Sequence, residues 1–150
     1  MADPRGKRIL VLGLGATGLS MARWLRAHGA RVSLADSRTA PPNVDAVRRE
    51  FPEMPLDTGP FRCESFAGID VLAVSPGVPL AEPEIRRAMG SGVPAVGDIE
   101  LFGWGLDLLC GTLGVSRPAL IGITGSNGKS TVTEMAGELC RSAGLETLVA

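Results

Sequence analysis

Residues 8–36 read RILVLGLGATGLSMARWLRAHGARVSLAD, and the fold turns on how that stretch divides. RILVLG is a short apolar run rich in Val, Ile and Leu, which marks a buried strand. GLGATG follows at once. Beyond it Leu19, Ala22, Trp24, Leu25 and Ala27 recur at roughly helical spacing. Gly29 stands where a glycine commonly closes a helix. RVSLAD, residues 31–36, is a second strand. Strand, glycine turn, helix and strand make one βαβ unit.

Working outward, APPNVDAVRREF at residues 40–51 predicts a turn and a short helix. Residues 52–68 are rich in Pro, Gly and polar side chains and give no firm element. IDVLAVSPGVP, residues 69–79, is a buried strand running into a Pro-Gly turn. AEPEIRRAMGSG is a helix with Pro83 in its first turn and Gly90 at its end. PAVGDIELF, residues 94–102, reads as a short strand opening into a loop. The pattern β-α-β-α-β-α-β with apolar strands argues for a parallel sheet covered on both faces. GWGLDLLCGTLGVSRP, residues 103–118, is a connector with room for a short helix, and a plausible domain boundary. The pattern then restarts. ALIGIT (119–124) is a strand, GSNGKS a loop, STVTEMAGELCRSAG a helix ending at Gly144, and LETLVA (145–150) a strand. The expected fold class is α/β: a Rossmann-like parallel-sheet domain over residues 1–102, a linker over 103–117, and over 118–150 the beginning of a P-loop nucleotide-binding domain that this chain does not complete.

Composition narrows the function classes. The net charge is −1, with 15 basic and 16 acidic residues, so no basic face argues for nucleic acid or anionic lipid. The longest apolar runs are about six residues, far short of a membrane span. No signal-peptide h-region follows MADPRGKR, because ILVLGLG breaks into glycines. A soluble cytoplasmic protein, and a monomer, are expected. Cys63, Cys110 and Cys140 are far apart, with no metal spacing, and read as free thiols. His28 falls at a helix end, where it can cap carbonyls. Of fifteen basic residues only Lys7 and Lys129 are lysine. A compact ammonium at a phosphate is not replaceable by a planar guanidinium.

Two glycine loops carry the chemistry. In GLGATG, Gly13, Gly15 and Gly18 match G-x-G-x-x-G, follow a strand and open a helix, and Asp36 ends the next strand. This places a diphosphate at a helix N-terminus and a carboxylate near a sugar or base edge. UDP satisfies both as well as NAD does. The plain alternative is a glycine turn that serves only helix–strand packing. The second loop is GITGSNGKST, residues 122–131. The common phosphate loop is G-x-x-x-x-G-K-[ST]. Counting back from Gly128, Lys129 and Ser130, its first glycine would fall on Ile123, but the glycine is Gly125. Helix amides and Lys129 would still hold β- and γ-phosphates, and a hydroxyl of Ser130 or Thr131 would reach Mg²⁺. A dehydrogenase needs only the first loop and a simple kinase only the second. A ligase that uses ATP to activate a nucleotide-carrying substrate needs both.

These residues resemble a known family. ITGSNGKST is similar to the ATP loop of the Mur ligases, the amino-acid-adding enzymes of peptidoglycan synthesis, which use G-[ST]-N-G-K-[ST]. GLGATGLS, SPGVP at residues 75–79 and VGDIELF at residues 96–102 resemble the D-glutamate-adding branch. The likeness runs over residues 2–150 and is weakest across 40–66 and 103–118, where the connector is longer than the family's usual one. It implies three domains: a Rossmann-like UDP-binding domain, a central ATPase domain and a C-terminal domain. It implies that ATP and Mg²⁺ activate the carboxylate of UDP-N-acetylmuramoyl-L-alanine as an acyl phosphate, which the amine of D-glutamate attacks. Gly15, Ala16 and Thr17 would meet the diphosphate. Asp36, Ser37 and Arg38 would border uracil and ribose, and Ser75, Pro76 and Gly77 would lie against the same ligand. Gly125, Ser126, Asn127, Gly128, Lys129, Ser130 and Thr131 would hold ATP, with Lys129 catalytic on the phosphates and Ser130 or Thr131 on the metal. The family's remaining metal ligands and its D-glutamate-binding domain would lie beyond residue 150, so this chain alone is expected to be inactive. An NAD-dependent oxidoreductase domain, a non-catalytic UDP-sugar-binding module and another ligase of the superfamily stand as alternatives.

Overall fold

The computed structural model describes residues 3–149. The chain forms two compact units, residues 1–115 and 116–150. The first is built on a five-stranded, wholly parallel sheet in the order β3-β2-β1-β4-β5. Its strands are β1 (Arg8–Leu12), β2 (Arg31–Asp36), β3 (Leu56–Thr58), β4 (Val71–Val74) and β5 (Ala95–Val96). Three helices join them, α1 (Ala16–Ala27), α2 (Val44–Glu50) and α3 (Pro83–Gly90), and α4 (Asp98–Leu113) follows the last strand. A 3-10 turn spans Cys63–Phe66.

The apolar strand runs exist because both faces are covered. Alternate side chains point to opposite faces of a strand. Ile9 and Val11 of β1 therefore pack with Leu19, Ala22 and Leu25 of α1, Val47 of α2 and Leu101 of α4. Leu10 and Leu12 pack on the other side with Phe66, and with Ile85 and Ala88 of α3. Register is direct, with Leu10 opposite Ser33 on one side and Leu72 on the other. Central β1 is fully buried after Arg8, whose guanidinium and backbone N–H bind Asp70 at the sheet's lower edge.

The structure departs from the expected elements in three places. Residues 52–68 contribute β3, a three-residue edge strand pairing Leu34 with Leu56 and Asp36 with Thr58. So short a strand, half exposed at the sheet edge, leaves no alternation to read. Residues 98–102 form a helix rather than a loop, and α4 continues through 113. The Glu100 carboxylate accepts the Gly97 N–H at 2.8 Å, and Asp98 and Glu100 set negative charge in the first turn. Gly105 inside the helix is a packing residue: a Cβ there would lie 3.3 Å from the Trp24 indole. Gly114, at φ 66°, ends α4.

The second unit holds α5 (Lys129–Ser142). Neither 119–124 nor 145–149 forms a strand, against expectation, and Ala150 lies outside the described residues. A strand needs a partner for its backbone groups, and neither segment has one among the described residues. Their side chains are correspondingly open, with Ile121 68% and Leu148 99% exposed.

Candidate functional site

The strand order places a crevice. From β1 the chain steps one way to β2 and β3, and the other way to β4 and β5. The helices after β1 and β4 lie on opposite faces, so their loops part at the carboxyl ends of the strands, where ligands of such sheets bind.

The first glycine loop fills one side of this crevice, and its three glycines do different work. Gly13 has φ +92°, and a Cβ there would come 2.7 Å from Val78 Cγ2 and 3.1 Å from Ser75 Cβ, in the loop after β4. Gly18 admits no side chain at all, since its Cβ would lie 1.7 Å from the Gly13 carbonyl oxygen. Gly15, at φ −75°, faces open space with nothing within 4 Å. The outer two glycines close helix against strand, and the middle one leaves backbone approachable. Gly15 is also the N-cap of α1, which has no side-chain cap and no acid in its first turn. The amides there remain open to an anion.

Asp36 anchors the loop from below. Its side chain is 2% exposed. Oδ2 accepts the Leu14 N–H at 2.6 Å and Arg38 Nη2 at 2.6 Å, and Oδ1 accepts Arg38 N at 2.9 Å and Nε at 2.8 Å. Burial pushes the carboxyl pKa up, but the hydrogen bonds from Arg38 and Leu14 outweigh it and hold the group at about 2. A carboxylate offers about four acceptor sites, and all four are engaged. Arg38 itself is half exposed at the mouth, with its fork fixed by the buried partner.

The structure thus brings together Gly13, Leu14, Asp36, Arg38 and Ser75. Ser75 is buried, and its N–H donates to the Leu12 carbonyl at 2.9 Å. Ala16 is exposed and Thr17 half-buried in the first turn of α1, while Ser37, Pro76 and Gly77 are exposed on the neighbouring loops. Sequence reasoning missed Asn43, whose amide donates to the Leu14 carbonyl at 3.0 Å. It also missed Val78, which closes on Gly13. An Asn ahead of a helix signals an N-cap, but nothing local says that its side chain turns to a loop 29 residues earlier. His28 is half-buried and stacked on Trp24, with Nδ1 2.8 Å from the Trp24 carbonyl oxygen, so it serves the helix end. The three cysteines are free.

In the second unit, Gly125 has φ +158° and Gly128 φ +74°, and Gly128 leads into α5 as its N-cap. Helix α5 has neither a side-chain cap nor an acid in its first turn. Lys129 Nζ donates to the Gly125 carbonyl at 2.7 Å, curling over its own loop. Ser126, Asn127, Ser130 and Thr131 are exposed. An uncapped positive helix end beside an ammonium fits the phosphates of a nucleotide. No group of three or more His, Cys, Asp or Glu side chains suited to a metal exists among the described residues. A cation here would rest on a hydroxyl, water and the phosphates themselves, the usual manner for Mg²⁺. Among the described residues, no helix is long and apolar enough to cross a membrane.

Comparison with known proteins bears on both loops. Residues 7–97 match the family model of the Mur ligase MurD-like N-terminal domain. The chain is 49% identical over 150 residues to a UDP-N-acetylmuramoylalanine--D-glutamate ligase of Methylobacillus flagellatus, covering 100% of this chain and 31% of that protein. It is 52% identical over 154 residues to the ligase of the same name from Thiobacillus denitrificans, covering 97% and 32%. The chain therefore spans about a third of the length of these curated relatives. Among solved structures, a pseudomurein peptide ligase type C from Methanothermus fervidus aligns with TM-score 0.52 at 25% identity, over 94% of this chain and 27% of that one. The UDP-N-acetylmuramate-alanine ligase MurC of Thermotoga maritima shares the fold, with TM-score 0.54 at 23% identity over 92% and 30%.

Proposed function

The chain belongs to the MurD-like family of Mur ligase N-terminal domains, and on that premise we propose that its first unit binds the UDP end of UDP-N-acetylmuramoyl-L-alanine for a D-glutamate-adding ligase of peptidoglycan synthesis. The second unit would supply the ATP loop of the same enzyme. The observation that supports this reading best is the state of Asp36. A dinucleotide site of the NAD type needs a strand-end carboxylate free to accept ribose hydroxyls. Here Arg38 and Leu14 occupy that carboxylate. What remains at the mouth is the uncapped start of α1 at Gly15, Ala16 and Thr17, with no acid in its first turn, and a fixed guanidinium suited to the carbonyl edge or face of a base. Both suit a uridine diphosphate. Ser75, Pro76 and Gly77 would border the same ligand from the β4 side.

In the proposed reaction the substrate carboxylate attacks the γ-phosphorus of ATP, and ADP leaves. The amine of D-glutamate then displaces phosphate from the acyl phosphate, forming the amide and releasing a proton. The first step gathers negative oxygens, and Lys129 with the α5 amides at Gly128, Lys129 and Ser130 would offset that charge. Gly125, Ser126 and Asn127 would line the nucleotide's phosphate side. Mg²⁺, when held by the Ser130 or Thr131 hydroxyl, neutralises phosphate oxygens.

Calorimetric titration of this chain with UDP, NAD and ATP–Mg²⁺ in turn tests the reading. Binding of UDP without NAD, lost in Asp36→Ala, is expected. NAD binding without UDP overturns it in favour of an oxidoreductase domain. Turnover is expected to need more than this third of the relatives' length, and D-glutamate-dependent phosphate release from the chain alone would overturn that expectation.

A further inference from the structure

We propose that Asn43 is a positioning residue for the diphosphate-binding amide of Gly15, acting through the carbonyl of Leu14. The inference rests on the UDP reading of the first loop. A trans peptide unit is planar, so its N–H and C=O point in opposite directions. Two such units flank Leu14, and no cis peptide interrupts them.

In the first unit, the Leu14 N–H is bound by Asp36 Oδ2 at 2.6 Å. The Gly13 carbonyl on the same plane therefore faces the other way, into α1, where a Cβ on Gly18 would fall 1.7 Å from it. In the second unit, the Leu14 carbonyl accepts Asn43 Nδ2 at 3.0 Å. The Gly15 N–H on that plane is consequently aimed away from Asn43. It meets no acceptor among the described residues. Between the two planes the Leu14 side chain is 0% exposed in the core, so the residue cannot rotate as a whole. Asn43 sets the one plane that carries an open donor.

The cost of this arrangement shows at α2. Asn43 occupies its N-cap, a position that asparagine favours for its side-chain bond to the helix amides. It makes no such bond. The helix is held there by backbone, Val47 N–H to the Asn43 carbonyl at 3.0 Å, which survives substitution. The side chain is committed to the loop instead.

The test uses UDP and uridine as probes on the wild-type chain and on Asn43→Ser, which keeps an N-cap residue but is too short to reach Leu14. UDP affinity is expected to fall about fivefold to tenfold, the size of one lost hydrogen bond. Uridine affinity should change by less than about twofold, because a nucleoside brings no diphosphate to the Gly15 amide. Equal losses for both probes, or an unchanged UDP affinity, would overturn the inference while leaving the UDP reading standing. Wild-type silence toward UDP overturns the UDP reading and the assignment of Gly15 together. A ligand-free measurement runs beside it: in the wild-type chain the Asn43 side-chain amide protons should show slowed exchange by NMR. Free exchange at that amide also overturns the proposal.

Discussion

In the first glycine loop, the peptide planes on either side of Leu14 are held by groups from two other segments, Asp36 at the end of β2 and Asn43 ahead of α2. In the second, the side-chain bond across the loop is local, from Lys129 to Gly125 four residues back, and it is exposed. Both loops end in an uncapped helix start with no acid in the first turn. The difference lies in support rather than in sequence motif. The first loop has its geometry before any ligand arrives, because a five-stranded parallel sheet stands behind it. The second has the right residues in the right order, but the segments on both sides of it form no strand. A preformed site loses less ordering entropy on binding, so the first loop should bind its ligand in isolation more readily than the second.

The contrast breaks most sharply at Gly18. Gly18→Ala drives a Cβ into the Gly13 carbonyl at 1.7 Å, a backbone clash that only a shift of α1 can relieve. Urea denaturation of the first unit should show a loss of about 4 kcal/mol, the range of severe core disruption. Gly15→Ala, in open space at an ordinary φ, should stay within about 0.5 kcal/mol while blocking UDP. If Gly18→Ala is tolerated as well as Gly15→Ala, the first loop is not rigid and the comparison fails.

A smaller effect comes from pH. Asp36 is held at about 2, below its ordinary 3.8, so the folded state binds its proton less readily than the unfolded chain does. Its contribution is complete above about pH 4 and fades as pH falls toward 2. A depression of this size corresponds to stability on the order of 2 kcal/mol. The acid limb of a stability–pH curve should flatten by that amount in Asp36→Asn. An unchanged limb would mean that Asp36 is not bound to Leu14 and Arg38 in solution.

Much of the fold was legible because the strands are buried on both faces. RILVL and VLAV are continuous apolar runs, and the GLGATG spacing fixed the turn between strand and helix. The three-residue β3 was not legible, since its pairing with β2 carries no pattern of its own. The start of α4 was missed because two glycines, Gly103 and Gly105, look like loop residues until Trp24 is seen packed on one of them. At the site, Asp36 was found from its distance to the glycines. Its engagement with Arg38 could not be, because a motif names a carboxylate without saying which of its lone pairs are taken. Asn43 was invisible for the same reason: its partner is a backbone carbonyl, and every residue has one. The strands expected around the second loop were read from short local runs in a repeated strand–loop–helix pattern, and such a run does not supply the neighbouring strand.

The smallest expected effect sharpens the other side of the comparison. Lys129→Ala removes the ammonium from the second loop, and with it the exposed bond to Gly125. Exposed polar contacts of this kind contribute little to stability, so thermal and urea midpoints should shift by no more than about 0.5 kcal/mol. A structural lysine would behave otherwise, because loss of a bond that holds a loop in place propagates into α5 and speeds exchange of its amides. Unchanged α5 exchange, together with loss of ATP–Mg²⁺ binding in any chain long enough to bind it, separates a phosphate ligand from a loop strut. Loss of α5 protection in Lys129→Ala would mean that the second loop is supported from within, and that the two loops are more alike than their backbone surroundings indicate.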